Sequence, residues 1–581
     1  MGSVNRDLIR TLTFFHCRCG KMNTTQQSSY APSYHSEKSE KTLDDLENGP
    51  TVQDIASNRR ERNSTALDRY DEAIVRVTST EVDDPEKSER NNIQKTITNR
   101  TISDLESVLG TDHEIRWKEN DPDYPMNWSL AKRGWILWLV SMQTLVVIFY
   151  STSYVSGSKG IIEEFGISRT RSILGMTTYL IGLGCGPMIL APLSELYGRR
   201  PVYLASLFVY FMFVIPGCVA KNFNTILIVR FFGAFAGSVT LSNAPGTLGD
   251  IFPEEKRTLA FTPMNGPVLG PIIGGFVYQS LGWRWNSWLV LILSAVFGLL
   301  AVTHPETYAP VLLRRRAEKL RAETGDERYM SRFCWKDGEG DVLKLIGISL
   351  KRPVIMLFTE PMCIFWAIYV AAIYGILYLC FTAYPVVFTE IRGWGPGISG
   401  LAFLGIGVGT VLAVVSEPLS RKIYDMHSID PDTGKRPPEA RILVVCIAAV
   451  LIPVSMLWFA WTCYPMRIHW IWPILSGIPY GLGNTYVFLH ANNYLVTSYD
   501  VYSASAMAGG TITRSILGGV MPLFGPLMYH KLGPNMAATV VAIIAAVLVP
   551  IPFAFYKWGK IVRMRSPMLQ KLQREKAERG E

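Results

Sequence analysis

The stretch Gly266-Pro-Val-Leu-Gly-Pro-Ile-Ile-Gly-Gly275 decides which fold the sequence predicts. It lies within an apolar run from Leu259 to Leu281 that is long enough for one helix to cross a bilayer. Gly266, Gly270 and Gly274 recur at every fourth position and therefore form one stripe along that helix. A neighbouring helix can approach such a stripe to backbone contact, because no side chain stands between them. The stretch therefore predicts a membrane helix with a tightly packed neighbour.

The composition of the whole chain agrees with a protein that crosses the membrane many times. Of 581 residues, 49% are hydrophobic and 18% are charged, which is too apolar for a soluble multidomain protein. The net charge of +9 comes from basic residues beside the apolar runs, which indicates contact with anionic lipid and excludes nucleic acid as a partner. No phosphate-binding loop, nucleophile elbow or metal-spaced cluster occurs in a soluble segment of the sequence. We therefore expect no enzyme, no ATP-driven pump and no metal site.

Apolar runs separated by charged or Gly/Pro-rich turns predict twelve membrane spans, six in each half of the chain. The predicted spans are Gly134–Tyr154, Ser172–Pro192, Val202–Ala220, Ile226–Pro245, Leu259–Leu281, Trp285–Thr303, Val354–Phe381, Ile398–Val415, Ile442–Thr462, Trp470–Val496, Ala504–Tyr529 and Ala537–Tyr556.

Five segments follow from this pattern. They are a disordered cytoplasmic tail (1–133), a six-helix bundle (134–303), a cytoplasmic linker (304–353), a second six-helix bundle (354–556) and a basic cytoplasmic tail (557–581). Most Lys and Arg near the spans lie on the side of both termini and the linker, which the positive-inside rule assigns to the cytoplasm. The linker carries Arg314-Arg-Arg316, and we expect a tether with an amphipathic helix and a lipid-facing basic cluster.

The opening stretch also carries a family resemblance. Pro267 and Pro271 interrupt the backbone hydrogen bonds of the predicted helix and predict a bend. Together with Gly275 the pattern reads GxxxGPxxGG, which resembles the fifth-helix antiporter motif of 12-span drug:proton antiporters in the major facilitator superfamily. The resemblance implies an all-α membrane fold in which two six-helix bundles move against each other around a midplane cavity.

A second motif, Ser194-Glu-Leu-Tyr-Gly-Arg-Arg-Pro201, resembles the cytoplasmic signature between the second and third helices of that superfamily. The resemblance implies a conformational switch whose charges pair in one state and separate in the other. The predicted switch residues are Glu195, Gly198, Arg199, Arg200 and Asp250. Leu196 replaces a basic residue common in the family, which implies one contact fewer. The alternative is that the two arginines only enforce orientation.

Three ionisable residues within apolar segments are candidates for proton coupling. Arg230, followed by Gly233 and Gly237, resembles the RxxxG element of the family. A guanidinium inside an apolar helix is costly unless it faces a partner or water, which makes Arg230 a functional candidate. Arg514 is a candidate for the same reason. It lies in the predicted eleventh span, which resembles the eleventh helix of fungal drug exporters. Glu360 is the carboxylate of the second half that lies well inside an apolar segment. The alternatives are snorkelling for Arg230 and a structural cap or ion pair for Glu360.

Uncharged polar and aromatic residues in spans that face the cavity are candidates for substrate contact. They are Gln143, Asn243, Asn265, Tyr374, Tyr378, Asn484, His490 and Asn493. So few fixed charges favour a hydrophobic or weakly polar ligand over a sugar or a phosphate ester.

The sequence thus predicts a proton-coupled efflux transporter that exports hydrophobic toxic small molecules, either drugs such as antifungals or a self-made secondary metabolite. We expect a functional monomer in the plasma membrane, with the vacuolar membrane as the alternative. It uses the proton gradient, without a cofactor. The alternatives are a polyamine or nutrient carrier, which would require more cavity carboxylates, and a membrane sensor that does not transport.

Overall fold

The computed structural model describes residues 114–118, 120–252, 267–331, 342–429, 436–465, 467–499 and 502–570, all within one compact unit, Gly110–Glu581. In these ranges the fold is helical except for two short parallel strands, β1 (Glu114–Ile115) and β2 (Met330–Ser331). The first 113 residues, and with them most of the predicted disordered tail, lie outside the described residues.

The first half of the described chain forms a helical bundle. Its helices are α1 (Leu130–Ser156), α2 (Ser158–Phe165), α3 (Arg169–Tyr197), α4 (Arg199–Cys218), α5 (Phe223–Gly237), α6 (Val239–Ile251), α7 (Leu269–Leu281) and α8 (Arg284–Ala301). Three helices begin at a residue whose side chain accepts a backbone N–H of the first turn: Ser129, Ser168 and Asn222. Such caps satisfy backbone donors that have no partner within the helix.

The linker forms α9 (Ala309–Thr324) and α10 (Val342–Thr359). The second bundle consists of α11 (Pro361–Tyr384), a π-helical extension (Pro385–Ile391), α12 (Pro396–Leu401), α13 (Leu404–Val415), α14 (Glu417–Asp425), α15 (Ile442–Thr462), α16 (Ile471–Leu475), α17 (Gly477–Tyr499), α18 (Ser503–Leu532), α19 (Pro534–Leu548) and α20 (Pro550–Met564). The interior of this bundle lies around α11 and its extension. In the most apolar 18-residue stretch of Pro361–Ile391, 78% of the residues are buried, compared with 22% in that of α8.

Helices occur at all twelve predicted positions, and within the described ranges nine are long and apolar enough to cross a membrane. The other three positions correspond to α7, α17 and α18. For α7 only Leu269–Leu281 is described, whereas α17 and α18 carry many glycines and polar residues that lower their hydropathy. Their composition suits helices that pack on other helices rather than on lipid.

The structure corrects two segment boundaries. Part of the predicted disordered tail is ordered, because β1 pairs with β2 of the linker and Trp128 packs, 8% exposed, against the first bundle. The predicted boundary at 353/354 falls inside α10, which continues to Thr359. Glu360 separates it from α11, whose first residue is Pro361, a residue that favours the start of a helix.

Two arginines of the linker helix α9 bind protein groups instead of extending towards lipid. Arg314 donates to the carbonyl of Leu196 at 3.0 Å, and Arg316 forms an ion pair with Asp121 at 2.6 Å. The prediction of a lipid-facing basic cluster was therefore wrong for these two arginines. We call the end of the bundles that carries α9, α10 and the segment after α20 the inner end, and the opposite end, with α2, the outer end.

Candidate transport site

Arg230 lies in the interior of the first bundle, with 1% of its surface exposed. Its Nε donates to the carbonyl of Gly175 at 2.7 Å, and its Nη2 donates to that of Tyr150 at 3.2 Å. The ring centres of Tyr150, Tyr154 and Tyr179 lie between 4.2 and 4.7 Å from its guanidinium carbon. Carbonyl groups and aromatic faces therefore stabilise this buried charge within its own bundle.

Arg514 is the corresponding buried cation of the second bundle, on α18, and it is 9% exposed. Its guanidinium carbon lies 5.1 Å from the ring centre of Tyr374 and 4.8 Å from that of Phe488. Its Nε is buried without a hydrogen-bond partner, and the ion pairs among the described residues do not include it. The rings of Tyr374 and Phe488 are therefore the groups that the structure places against the Arg514 guanidinium.

A chain of hydroxyl groups connects these neighbours to the first bundle. The Tyr374 hydroxyl donates to that of Tyr378 at 3.3 Å, and the Tyr378 hydroxyl lies 3.1 Å from that of Ser151 on α1. On the next residue of α18, the Ser515 side chain faces Gly184 of α3 so closely that a Cβ at Gly184 would lie 2.6 Å from it. We call Arg514, Tyr374, Tyr378, Phe488 and Ser151 the Arg514 cluster; it lies where the two bundles meet.

Of the other predicted cavity residues, Asn484 lies next to a member of the Arg514 cluster, whereas Gln143 and Asn243 lie elsewhere. Gln143 donates to the carbonyl of Phe297 at 3.3 Å, and Asn243 accepts from Ser194 at 2.9 Å, so both are engaged within the first bundle. Asn484 lies one turn before Phe488 on the same face of α17. Asn265 is outside the described residues, and Asn493 is half-buried.

His490 faces a carboxylate of the second bundle instead of the Arg514 cluster. It is 4% exposed, and its Nε2 lies 3.6 Å from Oε2 of Glu417. Neither ring nitrogen has a hydrogen-bond partner in the described part of the chain. Burial raises the pKa of Glu417, although a hydrogen bond from Ser420 and the charges of Arg441 and Arg421 oppose the rise. Glu417 and His490 therefore form a buried pair of a carboxyl group and an imidazole.

The predicted switch residues come together at the inner end. Arg199 Nε donates to Asp250 at 3.2 Å, and Arg199 Nη1 donates to Ser194 at 3.1 Å. Glu195 is exposed, and its charge reaches Arg199 only at longer range; Arg200 donates to the carbonyl of Val302. Of the two acidic partners proposed from the sequence, Asp250 is thus the one paired here.

A linker carboxylate completes this group. Glu306 accepts from the backbone N–H of Arg199 at 2.9 Å, Arg200 at 3.3 Å and Tyr308 at 3.0 Å, and so caps the start of α4. The cap is possible because Gly198, with φ of +102°, brings its backbone against the Glu306 carboxylate. A side chain at this position would be strained and would displace the carboxylate.

The antiporter-motif glycines pack on two different partners. A Cβ at Gly270 would lie 2.8 Å from the Ser153 nitrogen, and one at Gly274 would lie 2.9 Å from its Cβ, so this stripe covers α1 of the same bundle. A Cβ at Gly275 would lie 2.5 Å from the Pro396 carbonyl oxygen, on the second bundle. Gly275 therefore belongs to the joint between bundles.

Both prolines of the motif lie at the start of α7, and the predicted bend stays a prediction, because residues 253–266 lie outside the described residues. Pro267 lies in the turn before α7, and Pro271 falls in the first turn of that helix, where no intrahelical donor is lost. Gly266 lies outside the described residues.

Glu360 connects α11 to the segment that follows α20. It is 1% exposed, receives hydrogen bonds from the Tyr499 hydroxyl at 3.1 Å and the Met568 nitrogen at 2.9 Å, and also binds the Ser566 hydroxyl. The sequence left two kinds of role open for Glu360, proton coupling and a structural cap or ion pair. This geometry corresponds to the structural cap. Among the residues that the structure describes, no three His, Cys, Asp or Glu are grouped so as to hold a metal ion.

Comparison with known proteins identifies the family. A match to the Major Facilitator Superfamily extends over residues 139–520, which is more than half of the chain. The chain belongs to the Major Facilitator Superfamily. It is a membrane transporter of small molecules and not an enzyme.

Its relatives are fungal transporters. A Major Facilitator Superfamily multidrug transporter of Aspergillus fumigatus is 41% identical over 459 residues, covering 78% of this chain and 75% of the relative. An MFS-type efflux pump of Trichophyton rubrum is 40% identical over 457 residues, covering 78% and 76%. Among solved structures, the xylose transporter XylE from E. coli, in a partially occluded inward-open conformation, has a TM-score of 0.54 and 13% identity, covering 74% of this chain and 98% of that one. The last similarity concerns the fold alone.

Two acidic groups of this Major Facilitator Superfamily transporter were missed by reasoning from the sequence. Glu306 stands in Pro305-Glu-Thr-Tyr-Ala-Pro310, a segment that the sequence assigned only to the linker. Glu417 lies two residues beyond the predicted end of the eighth span. It directly precedes Pro418-Leu-Ser420, the repeat of Pro192-Leu-Ser194, and this repeat was the available signal.

Proposed function

We propose that this transporter exports hydrophobic toxic small molecules, such as antifungals or a self-made secondary metabolite, by alternating access driven by inward proton flow. It acts as a monomer in the plasma membrane with both termini in the cytoplasm. Support for export comes from relatives of about 40% identity that are named multidrug transporter and efflux pump. Basic residues concentrated at the inner end support the orientation.

The observation that carries the proposal is the joint between the bundles near the outer end. Gly275 of α7 contacts the backbone of Pro396, and Gly400 of α12 lies so near Pro271 that a Cβ there would be 3.0 Å from its carbonyl carbon. Gln279 accepts from the Gly397 nitrogen at 3.0 Å across the same joint. Backbones in contact along small residues can slide or separate without disturbing side-chain packing, which alternating access requires.

Proton coupling is proposed for Arg230, Arg514 and Glu360, and we add the Glu417–His490 pair. Arginine does not release its proton in proteins, so the two arginines act through their fixed charge. The proton itself needs a carboxylate or an imidazole. Glu417 and His490 lie 3.6 Å apart, and the nitrogens of His490 are buried without hydrogen-bond partners, so a change of water access alters which of the two is protonated.

The experiment uses plasma-membrane vesicles turned inside out, with radiolabelled fluconazole as a neutral antifungal probe. Acidifying the lumen should accelerate uptake, and nigericin, which collapses the pH gradient, should abolish that acceleration. Glu417→Gln should reduce the response to the gradient about fivefold or more, whereas Glu163→Gln, at an exposed carboxylate, should leave it unchanged. Uptake that is indifferent to the imposed gradient would contradict proton coupling.

A further inference from the structure

We infer that Arg514 binds an acidic group, a carboxylate or an equivalent monoanion, on an otherwise apolar aromatic cargo. The inference rests on the proposed function in one respect, that cargo is bound between the bundles, and it is independent of what drives transport. Among the proposed hydrophobic cargo, it identifies the compounds that carry one negative charge as those bound most tightly.

The comparison of the two buried arginines is the first step. Arg230 donates through Nε and Nη2 to carbonyl groups and is enclosed by three tyrosine rings, so protein dipoles and ring faces surround its charge, although its Nη1 is also buried without a partner. Arg514 is also buried, yet its Nε has no partner, and none of the ion pairs of the described residues includes it. A permanently charged group in an apolar bundle costs several kcal/mol unless an anion or water compensates it. A ligand anion would supply what the described protein does not.

The position of Arg514 is the second step. Its α18 neighbour Ser515 contacts α3 of the first bundle, and the hydroxyl chain through Tyr374 and Tyr378 ends on Ser151 of α1. The guanidinium therefore lies beside the surface along which the bundles meet. Phe488, whose ring faces it, remains 36% exposed, so the cluster is not sealed on the side of α17.

The chemistry of the cluster is the third step. A guanidinium presents a planar fork of donors that matches a carboxylate with two parallel hydrogen bonds, and it does so for monoanions better than for neutral groups. The rings of Tyr374 and Phe488 offer faces on which an aromatic cargo can stack. A polyamine would instead meet a like charge here, which disfavours that alternative carrier function.

The test measures binding to the purified full chain in nanodiscs at pH 7, where aromatic carboxylic acids are ionised. The probes are benzoic, 1-naphthoic and 4-biphenylcarboxylic acid, each paired with its neutral carboxamide, and the readout is the dissociation constant from ligand-dependent thermal stabilisation. We expect at least one acid to bind about tenfold or more tightly than its amide, the ratio expected for hydrogen bonds to a charged group. If no acid binds more tightly than its amide, including the case in which none binds, the inference is overturned.

Variants locate the effect. Arg514→Gln should remove the preference for the acid and leave the amide unchanged, and Arg514→Lys should retain part of it, since the charge remains while the planar fork is lost. Equal weakening of acid and amide in Arg514→Gln would mean that Arg514 only holds its aromatic neighbours in place, and would refute the assignment. The ratio of acid to amide dissociation constants is measured on the wild-type chain. It therefore tests the inference even if Arg514→Gln folds poorly.

The two proposals fail separately. An acid preference without a response of vesicle uptake to the pH gradient would refute proton coupling and keep the anion site. Gradient-driven fluconazole uptake with equal binding of acids and amides would refute the anion site and keep proton coupling.

Discussion

Single glycines set how closely the helices of this transporter approach each other. Replacing Gly270 by alanine places a Cβ against Thr152 and 2.8 Å from the Ser153 nitrogen, where backbone cannot yield easily. We expect a loss of about 1–3 kcal/mol of stability from overpacking, measured as a lower melting temperature of the purified chain. Gly298→Ala, on α8, is the matched control, because nothing lies within 4 Å of the added Cβ. An unchanged melting temperature for Gly270→Ala would show that α1 and α7 are less tightly packed than the structure shows.

The same glycines show what the sequence can predict about single residues and what it cannot. Spacing identified the stripe of Gly270 and Gly274, because the helical period alone fixes which residues share a face. It did not reveal that the stripe covers α1 whereas Gly275 meets the second bundle, since the partner of a face depends on tertiary packing. For the same reason Gln143 was expected in the cavity and bonds to α8, while Tyr374 and Tyr378 do lie beside Arg514.

At the scale of elements, the linker is held by charges that composition alone could not assign. The predicted helices were found because apolar runs of sufficient length are a strong signal. The structure of residues 114–118 and 120–129 was missed, because it depends on contacts far along the chain, such as that of Asp121 with Arg316, 195 positions later. Burial acts to raise the pKa of Asp121, but hydrogen bonds from Arg316 and the Asp123 nitrogen outweigh it and hold that pKa below its usual value. Asp121 therefore stays ionised, and paired with Arg316, well into the acidic range.

The linker should respond to mild acid through His304. Burial, assisted by the charge of Arg200, lowers the pKa of His304 from 6.5 to about 4. In the unfolded chain this histidine binds a proton near pH 6.5, but in the folded chain it does so only near pH 4, so acidification across that interval destabilises the fold. The loss is at most about 3 kcal/mol, because one pKa unit corresponds to about 1.4 kcal/mol.

The measurement compares melting temperatures of the purified chain at pH 7 and pH 5. His304→Phe removes the titrating group while keeping a ring beside Tyr203, so its difference between the two pH values should be clearly smaller than that of the wild type. An equal difference in both proteins would show that another group is responsible for the loss in acid.

At the scale of the whole molecule, the ion pairs are distributed unequally between the two ends. At the inner end those among the described residues, such as Arg199–Asp250 and Arg563–Glu439, connect elements of the same half. At the outer end Arg169 of α3 binds Glu390, which follows α11, and lies 3.0 Å from His530 of α18. His530 in turn lies 3.4 Å from Glu390. This cluster connects the two bundles and favours the state in which their outer ends are together.

Removing the arginine should therefore shift the balance between conformations. Each exposed pair contributes about 0.2–1 kcal/mol, so Arg169→Ala should raise the population with separated outer ends by up to about fivefold. Spin labels at Lys159 on α2 and Lys531 on α18 report that separation as a distance distribution. Lys319→Ala breaks an exposed pair with Glu323 within α9 and should change nothing. If both variants give the wild-type distribution, the ionic cluster does not hold the outer ends together, and other contacts such as the backbone joint at Gly275 and Gly400 do so.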